Sequence, residues 1–339
     1  MVLSLSGRKE LTILNGNRMI EHNRSERTEL RKYLEGKSVV VTGAGRGIGR
    51  AIAIAAAAEG ARVVVADYGG AVDGSHSGSS GPADQVTEEI VASGGEAVAV
   101  AADVSTMDGG RRVVAAAVDS FGRLDGLVCC AGISVMKYLW ELEERDWDDV
   151  IAVHLKGHFS CAQAAARVMM PQRAGSLVFI GSGAFAGAPN LPSYATAKAG
   201  VLGFTWSTAN ALRWHGIRTN CIVPSAATRM SDSIFGEAQL LRDDAGPLVR
   251  SELAAGTDRD PANIAPTVLY LLGDESCGVN GQVYLVQRYE ISRLGEVGWD
   301  KEITNDGPWD IATIAERLPR ELGPKTTPTP VPWPERPGR

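Results

Sequence analysis

Between residue 37 and about residue 285 the chain alternates short apolar runs with segments of helical spacing. KSVVVTGAG is an apolar run that meets glycines, and RGIGRAIAIAAAAEG continues with apolar positions at helical intervals until Gly60. ARVVVADYGG predicts a second strand, QVTEEIVASGG a helix and EAVAVAADVS a third strand. GGRRVVAAAVDSFGRL then predicts a helix, and DGLVCCAGIS a fourth strand. Strands without polar alternation, separated by helices, belong to a parallel sheet covered on both faces. The pattern predicts an α/β, doubly wound Rossmann fold, with ligands at the carboxyl ends of the strands.

Three stretches fall outside this alternation. Residues 1–36 read as a polar N-terminal extension, and residues 69–82 (GGAVDGSHSGSSGP) as a Gly/Ser-rich loop after the second strand. Residues 290–339 read as a C-terminal extension with one helix (WDIATIAERL) and a Pro-rich tail, TTPTPVPWPERPGR, expected to be extended or disordered. One Rossmann-type catalytic domain, 37–289, lies between them.

Composition narrows the function classes. A content of 44% hydrophobic and 22% charged residues is that of a soluble globular chain. A net charge of −6 argues against a nucleic-acid surface or a polybasic membrane patch. No apolar run approaches the ~20 residues needed to span a bilayer. The first residues mix acidic with basic groups around no apolar core, unlike a targeting signal. Five cysteines without framework spacing point to reduced thiols and a cytoplasmic location. His154 and His158 stand four apart, but the Glu of a zinc-protease motif is absent and no His/Cys spacing fits a ligand set, so no metal is expected.

The candidate chemistry begins at VTGAGRGIG, which contains Gly43, Arg46, Gly47, Ile48 and Gly49 at a strand-to-helix junction. Glycines there allow a tight turn and close approach of a pyrophosphate to a helix N-terminus. Asp67 ends the next strand, 18 residues beyond Gly49, where a carboxylate can accept bonds from ribose hydroxyls. Arg46 pulls the other way, since a guanidinium in the turn can hold a 2′-phosphate. The aspartate stands where that phosphate would sit, which favours NAD as cofactor, with NADP as the alternative. Tyr194 and Lys198 fall one turn apart on one helix face. A neighbouring ammonium is expected to lower the phenol's pKa, so that it can exchange a proton with a substrate oxygen as hydride moves.

From about 37 to 286 the chain resembles the short-chain dehydrogenase/reductase family. The resemblance rests on the glycine turn Thr42–Gly49, Asp103-Val104, Ala131-Gly132, the Tyr194/Lys198 pair and the segment Pro224 to Thr228. Within the family the chain is similar to a bacterial branch akin to the dehydrogenase module of the peroxisomal multifunctional β-oxidation enzyme. DYGGAVDGSHSGSSGPADQVTEEI, WDDVIAVHLKGHF and PSAATRM carry that narrower likeness. The resemblance implies adenine contact at Asp103 and Val104, and carboxamide contact at Pro224 to Thr228. It also implies a homodimer or homotetramer, and a 3-hydroxyacyl thioester or another secondary alcohol as substrate. The mobile substrate segment of the family would be residues 229–258, whose mixture of apolar and charged residues suits a bulky, partly apolar substrate, whether acyl-CoA, polyketide or steroid-like. Against acyl-CoA, no obvious basic phosphate cradle is legible in the sequence.

Departures from the family pattern bear on the chemistry. Its Asn-Asn-Ala-Gly is here Cys129-Cys130-Ala131-Gly132, with Cys130 beside the cofactor position, and its helix asparagine is His154. The histidine is either a proton relay or a satisfied core side chain. The cysteines read as small packing residues more readily than as reactive thiols. The family's serine, 13 residues before the tyrosine, is Gly181, and Ser182 comes one residue late. Either Ser182 supplies the oxyanion donor or no serine does. Cys130 and Gly181 keep a second reading open, that of a dinucleotide-binding homologue doing non-redox chemistry (isomerisation, cyclisation or water elimination) or with lost activity.

Overall fold

The computed structural model describes residues 32–74, 78–233, 249–298 and 301–322. Most of the expected N-terminal extension, much of the segment 229–258 and the Pro-rich tail lie outside the described residues. The strands are β1 (Ser38–Thr42), β2 (Arg62–Ala66), β3 (Glu96–Val100), β4 (Gly126–Cys129), β5 (Gly175–Ile180), β6 (Ile217–Ser225), β7 (Val283–Gln287) and β8 (Glu290–Arg293). They form one sheet in the order β3-β2-β1-β4-β5-β6-β7-β8. The first seven are parallel, and β8 returns antiparallel along β7.

Burial explains the unbroken apolar runs. Along β1, Val39 and Val41 pack on one side of the sheet with Ile52, Ala53 and Ala56 of α1 (Gly47–Ala58). Val40 packs on the other side with Leu127, Phe179, and Val113 and Ala117 of α3 (Met107–Phe121). A strand buried on both faces has no position left for a solvent-facing polar residue. The remaining helices before β6 are α2 (Gly81–Ala92), α4 (Glu144–Ile151), α5 (Gly157–Gln172) and α6 (Pro192–Leu212).

The strand order reverses between β1 and β4, which opens a crevice at their carboxyl ends. Thr42 pairs with Cys129 in register, so the turns after both strands emerge side by side. The Thr42 hydroxyl ties them, accepting from the backbone N–H of Cys130 (3.1 Å) and Ala131 (3.3 Å). Between α4 and α5 the helix widens into a π-turn, Ala152–Lys156. That extra backbone turns His154 inward, where it is only 1% exposed.

Three boundaries differ from expectation. Leu34, within the expected polar extension, is fully buried, and its N–H donates to the Glu59 carbonyl at 2.9 Å, so the compact unit begins at Tyr33. Gly81 and Pro82 open α2 rather than closing the Gly/Ser-rich loop. Residues 290–293, expected in the C-terminal extension, form β8 through a hairpin in which Arg288 takes a left-handed φ of 52°. The expected tail helix is present as Ile311–Glu321. Among the described residues, no helix is long and apolar enough to cross a membrane.

Candidate active site

A cavity of about 730 Å³ opens at the carboxyl ends of the strands. Every residue singled out above for cofactor binding or catalysis lines it, from Gly43 in the first turn to Thr228 after β6. At the glycine turn a side chain has no room. A Cβ at Gly49 would lie 2.1 Å from the Gly43 carbonyl oxygen, and one at Gly43 2.7 Å from the Ala131 Cα. This close backbone approach stands at the start of α1, whose first N–H groups have no intrahelical partner and suit a dinucleotide's pyrophosphate.

Asp67 is braced by that turn. Its carboxylate accepts from the N–H of Gly45 (2.8 Å) and of Gly69 (2.7 Å), which fixes it at the groove. The Gly/Ser-rich loop is also part of the wall: Gly70, Ala71, Val72 and Gly74 line the cavity, and the Val72 carbonyl accepts from Ser134 N–H at 2.8 Å. Loop composition alone did not reveal this role. Sequence reasoning also missed Arg229 and Arg259, which line the cavity from segments more than 180 residues beyond Arg46. The crossovers of the fold bring them to the same cavity as Arg46.

At the catalytic end, β5 runs into a short 3-10 turn, Gly183–Ala186, before α6 begins. Gly181, the residue just past β5, stays paired with β6, donating its N–H to the Ile222 carbonyl at 2.7 Å. A Cβ there would point at Cys221 Sγ (2.9 Å) and Val223 (3.2 Å), away from the cavity. Ser182 faces the other way, because consecutive residues of an extended segment alternate. It lines the cavity and shares a hydrogen bond with the Tyr194 hydroxyl, while its Oγ accepts from Ala184 N–H at 3.2 Å. Counting 13 residues back from Tyr194 reaches Gly181, whereas the serine lining the cavity is Ser182.

Tyr194 and Lys198 meet the cavity from one face of α6, with Lys198 Nζ 5.6 Å from the tyrosine ring centre. The ammonium donates to the Ile180 carbonyl at 2.6 Å rather than approaching the phenol oxygen. Burial pushes the Tyr194 phenol up to about 12, opposed only by the Ser182 bond. The expected lowering by Lys198 is therefore not supplied by the polypeptide's own groups. Burial also pushes Lys198 down to about 8, partly offset by the surrounding thiols.

His154 stands against Tyr194 edge to face, ring centres 4.8 Å apart. Its Nε2 lies 2.7 Å from the Ile133 carbonyl and 3.1 Å from the Ile133 N–H. The shorter contact assigns the ring proton to Nε2, leaving Nδ1 a buried acceptor with no partner among the described residues. Burial, with the Lys198 charge, holds the imidazole neutral, well below its ordinary range. Cys130 is a packing residue: burial raises its thiol to about 11, which leaves essentially no thiolate at neutral pH. Among the described residues, no group of three or more His, Cys, Asp or Glu side chains is placed to hold a metal ion.

Residues 37–238 match the short chain dehydrogenase family. The chain is 38% identical over 248 residues to the 3-oxoacyl-[acyl-carrier-protein] reductase FabG of Staphylococcus aureus strain Mu50, covering 73% of this chain and 94% of that one. It is 34% identical over 311 residues to the hydroxyacyl-CoA dehydrogenase ChsB1 of Mycobacterium tuberculosis, covering 89% and 93% respectively. The crystal structure of a short chain dehydrogenase from Mycobacterium avium superposes with a TM-score of 0.74 at 35% identity, over 89% of this chain and 98% of that one. The glycine turn, the braced aspartate and the Tyr194/Lys198 helix lie within this shared region, and the chain belongs to the short-chain dehydrogenase/reductase family as an NAD(P)-dependent oxidoreductase.

Proposed function

We propose that the protein interconverts a secondary alcohol and a ketone on a bulky, partly apolar substrate of the 3-hydroxyacyl thioester type, with NAD(H) as cofactor. The observation that carries this is the Ser182–Tyr194 hydroxyl pair, facing the same cavity as the glycine turn. Nicotinamide, when bound, supplies or accepts the hydride. The Tyr194 hydroxyl, protonated at working pH, donates its proton to the carbonyl oxygen as that oxygen gains charge. Ser182 donates a hydrogen bond to the same oxygen. Lys198 anchors ribose hydroxyls, and the bare Nδ1 of His154 accepts within a proton relay. Asp67, held by two backbone N–H groups, favours NAD by repelling a 2′-phosphate. The names of the relatives support a 3-oxoacyl or 3-hydroxyacyl substrate class. A homodimer or homotetramer accords with the family resemblance, to be read as a solution mass in multiples of 35.8 kDa.

The two departures behind the non-redox reading carry less weight in the fold. The Cys130 thiol, half-buried in the cavity wall, is held protonated, and Ser182 presents a hydroxyl to the cavity where a side chain at Gly181 would point at Cys221 and Val223 instead. The test is stopped-flow absorbance at the reduced-nicotinamide band, with NADH or NADPH pre-bound, against bulky ketones and 3-ketoacyl thioesters. Loss of the band is expected with NADH and a thioester, and Ser182→Ala is expected to slow it about 10²-fold, the scale of losing one oxyanion donor. A band that never changes, with products isomeric to their substrates, would remove the redox reading.

The charge states give a pH dependence for ketone reduction. Below about 8 the Lys198 ammonium is present, and above it burial favours the neutral amine, so kcat/KM is expected to fall as pH rises through about 8. Tyr194, at about 12, stays protonated throughout, and the neutral His154 contributes no acid limb near 6.5. A profile between pH 5.5 and 9.5 checks this. An acid limb near 6.5 would mean that His154 titrates in the ordinary range.

A further inference from the structure

The first turn of α5 carries a second buried histidine, which the reaction described above does not use. His158 is only 1% exposed and stands two residues beyond the π-turn Ala152–Lys156. Its ring meets Phe179 edge to face, ring centres 5.4 Å apart. Phe179 is in register with Cys129, so the ring lies where β4 ends beside β5. From there it bonds to the backbone of His154, one turn earlier, and of Cys129. Both bonds favour the charged ring, so in both the imidazole donates to a carbonyl. Burial, with the Lys198 charge, pushes the ring down to about 3 and keeps it neutral, with one N–H to give. Nε2 is buried without a partner among the described residues, which assigns that proton to Nδ1.

We propose that His158 is a positioning residue: its ring ties the His154 backbone to the end of β4 and so holds the His154 ring against Tyr194. The proposal rests on the reading of Tyr194 as proton donor and adds a residue outside the cavity lining. A π-turn needs such a tie. The Gly157 N–H bonds back five residues to the Ala152 carbonyl, which interrupts the regular ladder of the helix. Buried carbonyls beside the interruption are stable only where a donor meets them. Ser160 fixes the same turn of α5 from another side, donating to the Val104 carbonyl at 2.7 Å. Beyond the tie the contacts are short and direct. The His154 ring lies 2.7 Å from the Ile133 carbonyl and 4.8 Å, centre to centre, from the Tyr194 ring. Movement of the π-turn therefore reaches the phenol through one side chain.

The test compares the full chain with His158→Leu, His158→Asn, His154→Ala and the double variant His154→Ala/His158→Leu. Leucine fills space without an N–H, whereas the asparagine amide places a donor where Nδ1 stands. His158→Leu is expected to slow single-turnover consumption of bound NADH by a 3-ketoacyl thioester at least about tenfold, as small misplacements do. His158→Asn should recover most of that rate, and NADH affinity should stay close to that of the unmodified protein in both. In the His154→Ala background His158→Leu should cost little more, because both act through one ring. Losses that multiply would overturn the proposal, and so would an asparagine variant no faster than the leucine one. A loss of NADH affinity as large as the loss of rate would overturn it too, as general disruption of the site. Should unfolding curves show that His158→Leu does not fold, His158→Gln, whose donor stands at the Nε2 position, replaces it in the cycle. Nitrogen-15 resonances of the His154 ring, identified by their loss in His154→Ala, need no turnover. They are expected to report an Nε2–H ring in the unmodified protein and in His158→Asn, and to move in His158→Leu. Unmoved resonances would overturn the proposal. If the unmodified chain consumed no NADH with any ketone, the redox reading would fail, while these resonances would still decide the role of His158.

Discussion

Tyr194→Phe is expected to lower the rate at which bound NADH is consumed by a ketone substrate by about 10³-fold, within the span usual for a positioned proton donor. The substitution removes one hydroxyl and little else. The ring keeps its edge-to-face contact with His154 at 4.8 Å and stays beneath the Lys198 ammonium. Cofactor affinity and unfolding temperature should therefore remain close to those of the unmodified protein. What is lost is the phenol that shares a hydrogen bond with Ser182 in the cavity, with its proton held on by burial. Stopped-flow traces under single-turnover conditions separate this loss from slow product release. A rate within tenfold of the unmodified protein would show that another group, or water, supplies the proton.

Gly132→Ala is expected to be nearly as damaging, by a different route. A Cβ at Gly132 would lie 2.4 Å from His154 Cε1 and 3.2 Å from both ring nitrogens. The ring cannot move aside freely, because it is buried and bonded to the Ile133 backbone, with Tyr194 against its face. Relieving the overlap must shift either the π-turn or the turn after β4. Overpacking of this kind costs about 1–3 kcal/mol. A displacement of roughly 1 Å near the reacting groups also costs about 10²-fold in rate. Denaturant unfolding measures the first effect and single-turnover kinetics the second. The double variant Gly132→Ala/His154→Ala should recover most of the stability, since truncation of the ring makes room for the methyl. Two effects that simply added would mean that the strain lies elsewhere.

Much of the site was legible in the sequence because each signal is local. The glycine turn, Asp67 at a strand end and the four-residue spacing of Tyr194 and Lys198 each need only one strand, turn or helix to take meaning. The serine was harder to place. Counting back from Tyr194 lands on Gly181, yet the hydrogen bond of Gly181 to Ile222 keeps it paired with β6, and the serine lining the cavity is Ser182. The expected influence of Lys198 on the phenol also depended on more than spacing. Helical spacing brings the side chains together, but the Ile180 carbonyl decides where the ammonium points. The Gly/Ser-rich loop carried too little side-chain information to reveal that its backbone walls the cofactor groove.

The sequence by itself determined the order of strands and helices, the two-sided burial of the sheet and the turn that receives a dinucleotide. These follow from the periodicity of apolar positions and from glycines where no Cβ fits, both of which are written within a dozen consecutive residues. The tertiary structure alone decided which serine meets Tyr194, that Leu34 belongs to the core and that His154 turns inward against Gly132. It alone brought Arg46, Arg229 and Arg259 to one cavity. Such juxtapositions depend on how distant strands align at the crossover between β1 and β4 and on the path taken after β6. No run of neighbouring residues encodes that alignment, because it arises only when the whole sheet is assembled.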